Sequence, residues 1–452
     1  MNEQEASGPA LARRMGLFAL IVYGVGDMLG AGIYALVGEW AGIMGNAVWL
    51  GFVVSWIAAV LTGLSYASLG SRYPRAAGAA YITQRAWALP FLSYVVGLAV
   101  VASGLTSIGT QARAFSGYAL GLTGLAPPGG NGVGALPEAE WLVWAAVVLG
   151  FIGVLTVINL RGIQESSRAN LIFTAVEALG LLLVIAVGVR YWGSVDYLET
   201  PPPGPEGSIG PTLVLQGAVL TFYSFIGFED LINVTEEAEN PERNYPIALI
   251  TALAATAVIY LAVTVTAVSV VPYPVLAQSD QPLVDVVTTA VPGFPAVVFS
   301  FIALFAIANT ALLNYIMGSR VVYGMAREGL THRALGAVHA ERRTPHRAIL
   351  VLMAIVIILA FSGELAQLAS ATSILLLCVF VVVNAALIVL KRRPDEPPGR
   401  FEVPTIVPVL GIAVNLVMLW HADRAAWRIA GILIAGIAVL YFVGKGSGIR
   451  DG

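Results

Sequence analysis

Four carboxyl side chains stand inside otherwise apolar stretches of this chain: Asp27, Glu177, Glu229 and Asp230. An ionisable group at membrane depth is costly and is a functional hypothesis by default, as proton carrier, cation partner or gating group. Asp27 lies in Tyr23-Gly-Val-Gly-Asp-Met-Leu-Gly-Ala-Gly-Ile-Tyr34, where Gly24, Gly26, Gly30 and Gly32 crowd together. Each glycine costs about 1 kcal/mol against alanine in a helix interior. The run reads either as close packing through small residues or as a helix break beside an acid. Glu229 and Asp230 follow Gly227 in Thr221-Phe-Tyr-Ser-Phe-Ile-Gly-Phe-Glu-Asp-Leu-Ile-Asn233. Two adjacent acids there need a cavity or a partner, unless the span ends early at the interface. Leu231, Ile232 and Val234 continue the apolar pattern and favour a break within the span.

A helix crossing lipid satisfies its own backbone, so a break is tolerated only where the freed groups face protein or a water-filled cavity. The N-terminus of a half-helix presents positive partial charge to an anion, and a C-terminus presents carbonyls to a cation. Interrupted spans at corresponding positions of two halves are the best sequence pointer to a transporter site. A molecule carrying both carboxylate and ammonium fits between two such breaks.

These residues need a membrane bundle to position them. Of the 452 residues, 58% are apolar and only 11% charged, and the mean hydropathy is +0.82. That is too apolar for a soluble or disordered chain. Runs long enough to cross about 30 Å of hydrocarbon fall at 17–38, 46–69, 91–120, 140–159, 170–192, 212–233, 247–271, 294–325, 347–361, 365–390, 404–421 and 427–443. The fold class is therefore an all-α polytopic membrane protein of about twelve spans. The first run is too long for a signal-peptide core and is read as a retained span. With the N-terminus inside, all but four of the 24 lysines and arginines fall on the cytoplasmic side, the exceptions being Arg113, Arg190, Arg424 and Arg428. The positive-inside rule then places both termini in the cytoplasm of a multi-pass protein of the cell membrane. The outer loops at 126–137, 201–211 and 272–295 are short, and the largest inner loops are 70–89, 326–346 and 391–403. Asn240-Pro and Tyr245-Pro read as turns between helices. Function must lie within the bundle.

Several classes are excluded or disfavoured. A net charge of −3 argues against a nucleic-acid partner. Cys378 is the single cysteine, so no intrachain disulfide forms. His332, His339 and His346 share one basic loop at a spacing unlike a metal site, and His421 lies at a span end. Neither a Walker loop nor a nucleophile elbow occurs. A membrane-embedded enzyme would need catalytic groups clustered at one depth, and a channel a repeated pore element; neither is visible. No cofactor or metal is expected.

At these motifs the chain resembles the amino acid–polyamine–organocation (APC) superfamily of secondary transporters. Gly30-Ala-Gly-Ile-Tyr34 resembles its first-helix signature. Phe225-Ile-Gly-Phe-Glu229, with Glu237-Ala-Glu-Asn-Pro-Glu-Arg-Asn-Tyr-Pro246, resembles its sixth helix and following loop. Gly318-Ser-Arg-Val-Val-Tyr-Gly-Met-Ala-Arg-Glu-Gly329 resembles the end of its eighth helix, and Tyr73-Pro-Arg-Ala-Ala-Gly-Ala-Ala-Tyr81 its loop between helices two and three. The resemblance implies a LeuT-like five-plus-five inverted repeat with two extra C-terminal helices, working by alternating access. It divides the chain into a tail (1–16), a first repeat (17–193), an outer loop (194–211), a second repeat (212–390), a cytoplasmic loop (391–403) and a final helix pair (404–452). It further implies that the backbone around Gly30, Ala31, Gly32 and Ile33 holds a substrate carboxylate. Carbonyls near Phe222, Tyr223 and Phe225, beside Gly227, would hold the amino group. Tyr223 matches an aromatic gate, and Glu229 a glutamate used in gating.

The driving ion is read from two helices. Sodium-coupled members use hydroxyls and carbonyls of helices one and eight; here Asn309 and Thr310 offer oxygens, but paired hydroxyls are missing. Proton-coupled relatives carry a lysine on helix five, where this chain has Glu177. That departure removes the lysine's role. Glu177 is a candidate proton carrier, a structural acid tying helix five to helix one, or a sodium or substrate ligand. Asp27 can bind a proton, a cation or a substrate amine. Glu236, Glu237 and Glu239 are candidates to pair with Arg72, Arg75 or Arg327 as an inner gate, or form a solvated face. Ser103, Thr106, Ser107, Asn309 and Ser370 are candidate pocket residues. The expectation is proton-coupled transport of a neutral or cationic amino acid. Ion-independent exchange, or transport of a polyamine or organocation, is the alternative.

Overall fold

A computed structural model of the protein describes residues 15–73, 78–123, 138–161, 167–201, 210–327, 331–340, 342 and 344–446. Among them the chain is all-α, with one isolated backbone bridge between Met15 and Ala238. Nine helical stretches are long and apolar enough to cross a membrane, and three shorter apolar helices accompany them.

The first of the short helices, α1 (Leu17–Met28), is followed after Leu29 and Gly30 by α2 (Ala31–Met44). Next come α3 (Val48–Arg72), α4 (Gly78–Trp87), α5 (Pro90–Gly121), α6 (Glu138–Arg161) and α7 (Ser167–Gly188). In the second half, α8 (Pro211–Phe222) gives way to a 3-10 turn over Tyr223–Phe225 and a 3-10 helix over Phe228–Glu237. Then follow α9 (Pro241–Val270), the short α10 (Tyr273–Leu276) and α11 (Pro282–Ala290), α12 (Ala296–Arg327), α13 (His346–Ser362) and α14 (Leu365–Lys391). The last two are α15 (Ile406–His421) and α16 (Arg424–Gly446).

Two differences from the sequence reading have physical causes. The 70–89 loop contains α4, an amphipathic helix that buries Ala79, Ile82, Thr83 and Ala86. It is too short and too polar to announce itself in a search for spans. Tyr245-Pro246 does not break a helix: Pro246 lies inside α9, which starts at Pro241. A proline leaves the carbonyl four residues earlier without its helical donor. That carbonyl belongs to Glu242, and the Ser71 hydroxyl of α3 donates to it at 3.0 Å.

Aromatic rings hold the second interruption in place. Phe225 packs edge-on against Phe52 of α3 and Tyr260 of α9, and Phe222 and Phe228 against Phe380 of α14. Small residues hold the first. A Cβ on Gly26 would lie 1.9 Å from the Thr174 hydroxyl, so α1 and α7 approach as closely as a missing side chain allows. At the basic end, the segment after α14 straps the first half. Arg72 Nε reaches Glu402 at 2.6 Å and Lys391 reaches it at 3.1 Å, while Arg85 and the Tyr73 hydroxyl both meet Glu396. Arg72 is thus engaged by Glu402, and no ion pair joins it to Glu239 among the described residues. Arg75 and the side chains of Glu236, Glu237 and Arg327 lie outside the described residues.

Candidate functional site

The first break is built by Gly30. Helix α1 ends when the Leu29 N–H bonds to Val25, and Gly30 turns extended before α2 begins. The Thr310 hydroxyl of α12 sits against this point. It accepts from the Ala31 N–H at 3.2 Å and donates to the Ala306 carbonyl at 3.0 Å. A Cβ on Gly30 would lie 2.2 Å from that hydroxyl. Other carbonyls of the interrupted helix are held by tyrosines: Tyr260 donates to Met28, and Tyr118 to Tyr34 at 2.7 Å.

The second break is built by Gly227. Its φ of +120° is a backbone conformation open to glycine. Its N–H donates to Glu229 Oε2 at 3.0 Å. The two breaks touch. A Cβ on Gly227 would lie 2.8 Å from the Asp27 carbonyl oxygen, and one on Gly32 would lie 2.8 Å from the Ser224 hydroxyl.

Beside them opens a cavity of about 740 Å³. Asp27, Gly30, Ala31, Gly32, Tyr223, Gly227, Glu229, Asp230 and Thr310 line it, so most of the expected site residues share one space. Ile33, Phe222, Phe225, Glu177 and Asn309 do not. The rings of Phe222 and Phe225 are committed to the aromatic cluster, leaving only their backbone near the break. Glu177 and Asn309 are buried behind α1, where Asn309 Nδ2 donates to Glu177 Oε1 at 3.1 Å and the Tyr34 hydroxyl donates to the Glu177 carbonyl at 2.8 Å. Of the further pocket candidates, Ser103 and Ser107 line the cavity, whereas Thr106 and Ser370 do not.

The deep wall is polar. Ser107 Oγ lies 2.8 Å from the Tyr223 hydroxyl and accepts from Gln111 Nε2 at 3.0 Å and from Asn314 Nδ2 at 3.4 Å. Gln111 and Asn314 escaped the sequence reading. Gln111 follows Ser107 by four residues on one helix, a same-face spacing that was there to find. Three carboxyl residues line the cavity, and among the described residues no lysine, arginine or histidine does. The lining runs from the breaks to Tyr81, Gln84 and Ser93, so the cavity reaches the end of the bundle that carries α4. Among the described residues no three His, Cys, Asp or Glu side chains gather as a metal site.

Such an assembly defines a class: a polytopic membrane protein with interrupted helices around a central cavity that carries polar and acidic groups on its wall, the architecture of a carrier of small solutes. Its family follows from comparison with known proteins. The family model described as amino acid permease matches residues 15–444, and the chain belongs to that family. It is a secondary transporter family within the APC superfamily, not a class of enzymes. The chain is 27% identical over 437 residues to the branched-chain amino acid permease BcaP of Bacillus subtilis, covering 94% of this chain and 92% of that one. It is 28% identical over 456 residues to the methylthioribose transporter of the same organism, covering 97% and 95%. It is 28% identical over 347 residues to the chloroplastic cationic amino acid transporter 9 of Arabidopsis thaliana, covering 74% of this chain and 59% of the relative.

Proposed function

We propose that the protein carries a neutral or cationic amino acid across the cell membrane by alternating access, coupled to protons. The observation that carries this reading is the meeting of the two breaks at one wall of the cavity. The first turn of α2, from Ala31, directs backbone N–H groups and the positive end of a helix dipole at this wall. The end of α8 and the 3-10 turn at Tyr223–Phe225 bring carbonyls. A carboxylate and an α-ammonium would find opposite partners there. The acids Asp27, Glu229 and Asp230, with no basic side chain lining the cavity among the described residues, favour an added positive charge on the solute. The same acids keep an amine or organocation carrier as the second reading.

In this reading α1–α2, α3, α5, α6 and α7 form the first repeat, and the α8 segment, α9, α12, α13 and α14 the inverted second. The pair α15 and α16 is appended. Both termini face the cytoplasm with the basic strap, so the cavity opens inward. Tyr223 closes over the solute, and Asp27, Glu229 and Asp230 respond to it beside the breaks. The case for a proton over sodium rests on how these two side chains are used: Thr310 and Asn309. The Thr310 hydroxyl already both accepts and donates within the protein, and the Asn309 amide is turned to Glu177. Glu177 is then the proton carrier.

Proteoliposomes test this directly. Uptake of labelled arginine, leucine and putrescine is measured under an imposed pH gradient, with and without sodium, and then as counterflow. Saturable amino acid uptake driven by the pH gradient is expected. Uptake that follows a sodium gradient alone would overturn the coupling, and counterflow of putrescine without amino acids would overturn the substrate.

A further inference from the structure

The Ser71 hydroxyl, buried at the basic end of α3, binds two segments far apart in sequence. It donates to the Glu242 carbonyl at 3.0 Å, the group orphaned by Pro246, and accepts from the Phe401 N–H at 2.9 Å. This pins the first turn of α9 beside the strap that follows α14. Arg243 comes one residue after the first pinned position and Arg400 one residue before the second. Both are exposed, and neither guanidinium has a carboxylate partner among the described residues. Together with Glu242, Pro246, Ile247 and Phe401 they line a groove of about 220 Å³.

Beyond the groove, α9 presents a lipid-facing stripe. Arg243, Ile247, Ile250, Ala254 and Val258 follow one another at three- and four-residue steps, and all are exposed. Helix α15 begins on the other side with exposed Ile406. Two unneutralised arginines therefore stand at the head of apolar surface, at the end of the bundle where basic residues gather. Anionic headgroups are held by such basic pockets next to spanning helices on the cytoplasmic side.

We propose that this groove is a binding site for an anionic phospholipid of the cytoplasmic leaflet. The phosphate sits between Arg243 and Arg400, and an acyl chain lies along Ile247 and Ile250. Glu242 at the rim disfavours a second negative charge, which suits a singly charged headgroup such as phosphatidylglycerol. The site lies apart from the transport cavity and does not depend on which solute is carried.

The test uses the full chain purified in detergent, with its melting temperature followed on adding dioleoyl phosphatidylglycerol, dioleoyl phosphatidylcholine or inorganic phosphate. Ligand that binds only the folded protein raises that temperature. Wild type should gain stability from phosphatidylglycerol beyond the gain from phosphatidylcholine. The gain should vanish in R243Q/R400Q and persist in the control R424Q/R428Q, which removes two arginines at the opposite end. Equal stabilisation by both lipids, or an undiminished gain in R243Q/R400Q, overturns the site. A gain reproduced by inorganic phosphate overturns the lipid and leaves a simple anion site. Native mass spectrometry of R400E alone is the second readout. Retained phosphatidylglycerol adducts at wild-type abundance would count against the proposal even if the double variant were unstable.

Discussion

Asn309 Nδ2 donates to Glu177 Oε1 across 3.1 Å, tying α12 to α7 behind the first break. The other carboxyl oxygen, Glu177 Oε2, is buried with no partner among the described residues. A buried carboxylate with an unmet oxygen is costly unless it takes up a proton or meets a cation. E177Q keeps an acceptor for Asn309 and the size of the side chain, but cannot exchange a proton. It should preserve counterflow of the substrate and lose accumulation driven by a pH gradient. Wild-type accumulation in E177Q would move the coupling step elsewhere. Loss of both activities together with a lowered melting temperature would assign Glu177 a structural role.

The strap at the basic end gives a dependence on pH with a definite sign. Partial burial pushes the Glu402 carboxyl up, but Arg72, the Gly399 N–H and Lys391 outweigh it and hold it below the usual glutamate range. A carboxyl depressed in the folded state contributes stability that is full above its unfolded value, about 4.3. The contribution is lost as pH falls through the lower folded value. Arg72 is only 6% exposed, so removing its partner also strands a guanidinium. E402Q should therefore lower the melting temperature at pH 7 and flatten the acid-side decline. An unchanged acid limb in E402Q would remove this pair from the stability of the fold.

The interruptions were legible because their causes are local: Gly30 and Gly227 with acids beside them, in runs that otherwise demand continuous helix. What stayed hidden depends on contacts between helices. Nothing around Pro246 announces that Ser71, on α3, will satisfy the carbonyl it orphans. Nor does any motif say that Arg72 meets Glu402 and not Glu239, which is nearer in sequence. Ser107 could be named as a pocket candidate, yet its meeting with Tyr223 and Asn314 requires α5, the second break and α12 to converge. Glu177 was legible as an acid inside a helix. Its place behind the cavity and not in it follows from the close approach of α7 to α1 at Gly26.

Helix α15 is fastened by a buried polar knot. Asn384 Nδ2 donates to the Thr62 hydroxyl and Ser65 donates to Asn384 Oδ1, while Asn415 of α15 donates to the same Thr62 oxygen. Hydrogen bonds between membrane helices contribute about 0.6 kcal/mol on average and up to about 1.7. N384L breaks two of them and meets the close approach of Gly411, whose Cβ would lie 2.8 Å from Asn384 Oδ1. The variant should lose on the order of 1–3 kcal/mol from lost bonds and overpacking. Thermal unfolding in detergent measures this, and substrate affinity should be unchanged because the knot lies outside the cavity. Wild-type stability in N384L would show that α14 and α3 are held together here by apolar packing alone.

The two breaks differ in what surrounds their glycines, and that difference can be measured. At Gly30 the obstacle to a side chain is itself a side chain. A Cβ would meet Thr310 Oγ1 at 2.2 Å and Cγ2 at 2.8 Å, both atoms that T310A removes. At Gly227 the obstacle is the Asp27 backbone, with its carbonyl oxygen at 2.8 Å, and the φ of +120° adds strain of about 1–3 kcal/mol. G30A should lower the melting temperature and weaken substrate binding by displacing the hydroxyl that holds the Ala31 N–H. G30L should abolish binding in a protein that still folds. The double variant G30A/T310A should recover stability relative to G30A, a positive coupling between neighbours in contact. It should not recover transport, because the hydroxyl is gone. G227A should have no such rescue: D27A trims a side chain and leaves the carbonyl in place. Melting temperatures and counterflow of the five variants decide the matter. Rescue of G227A by D27A, or no recovery in G30A/T310A, would mean that the breaks are not held by the contacts assigned to them.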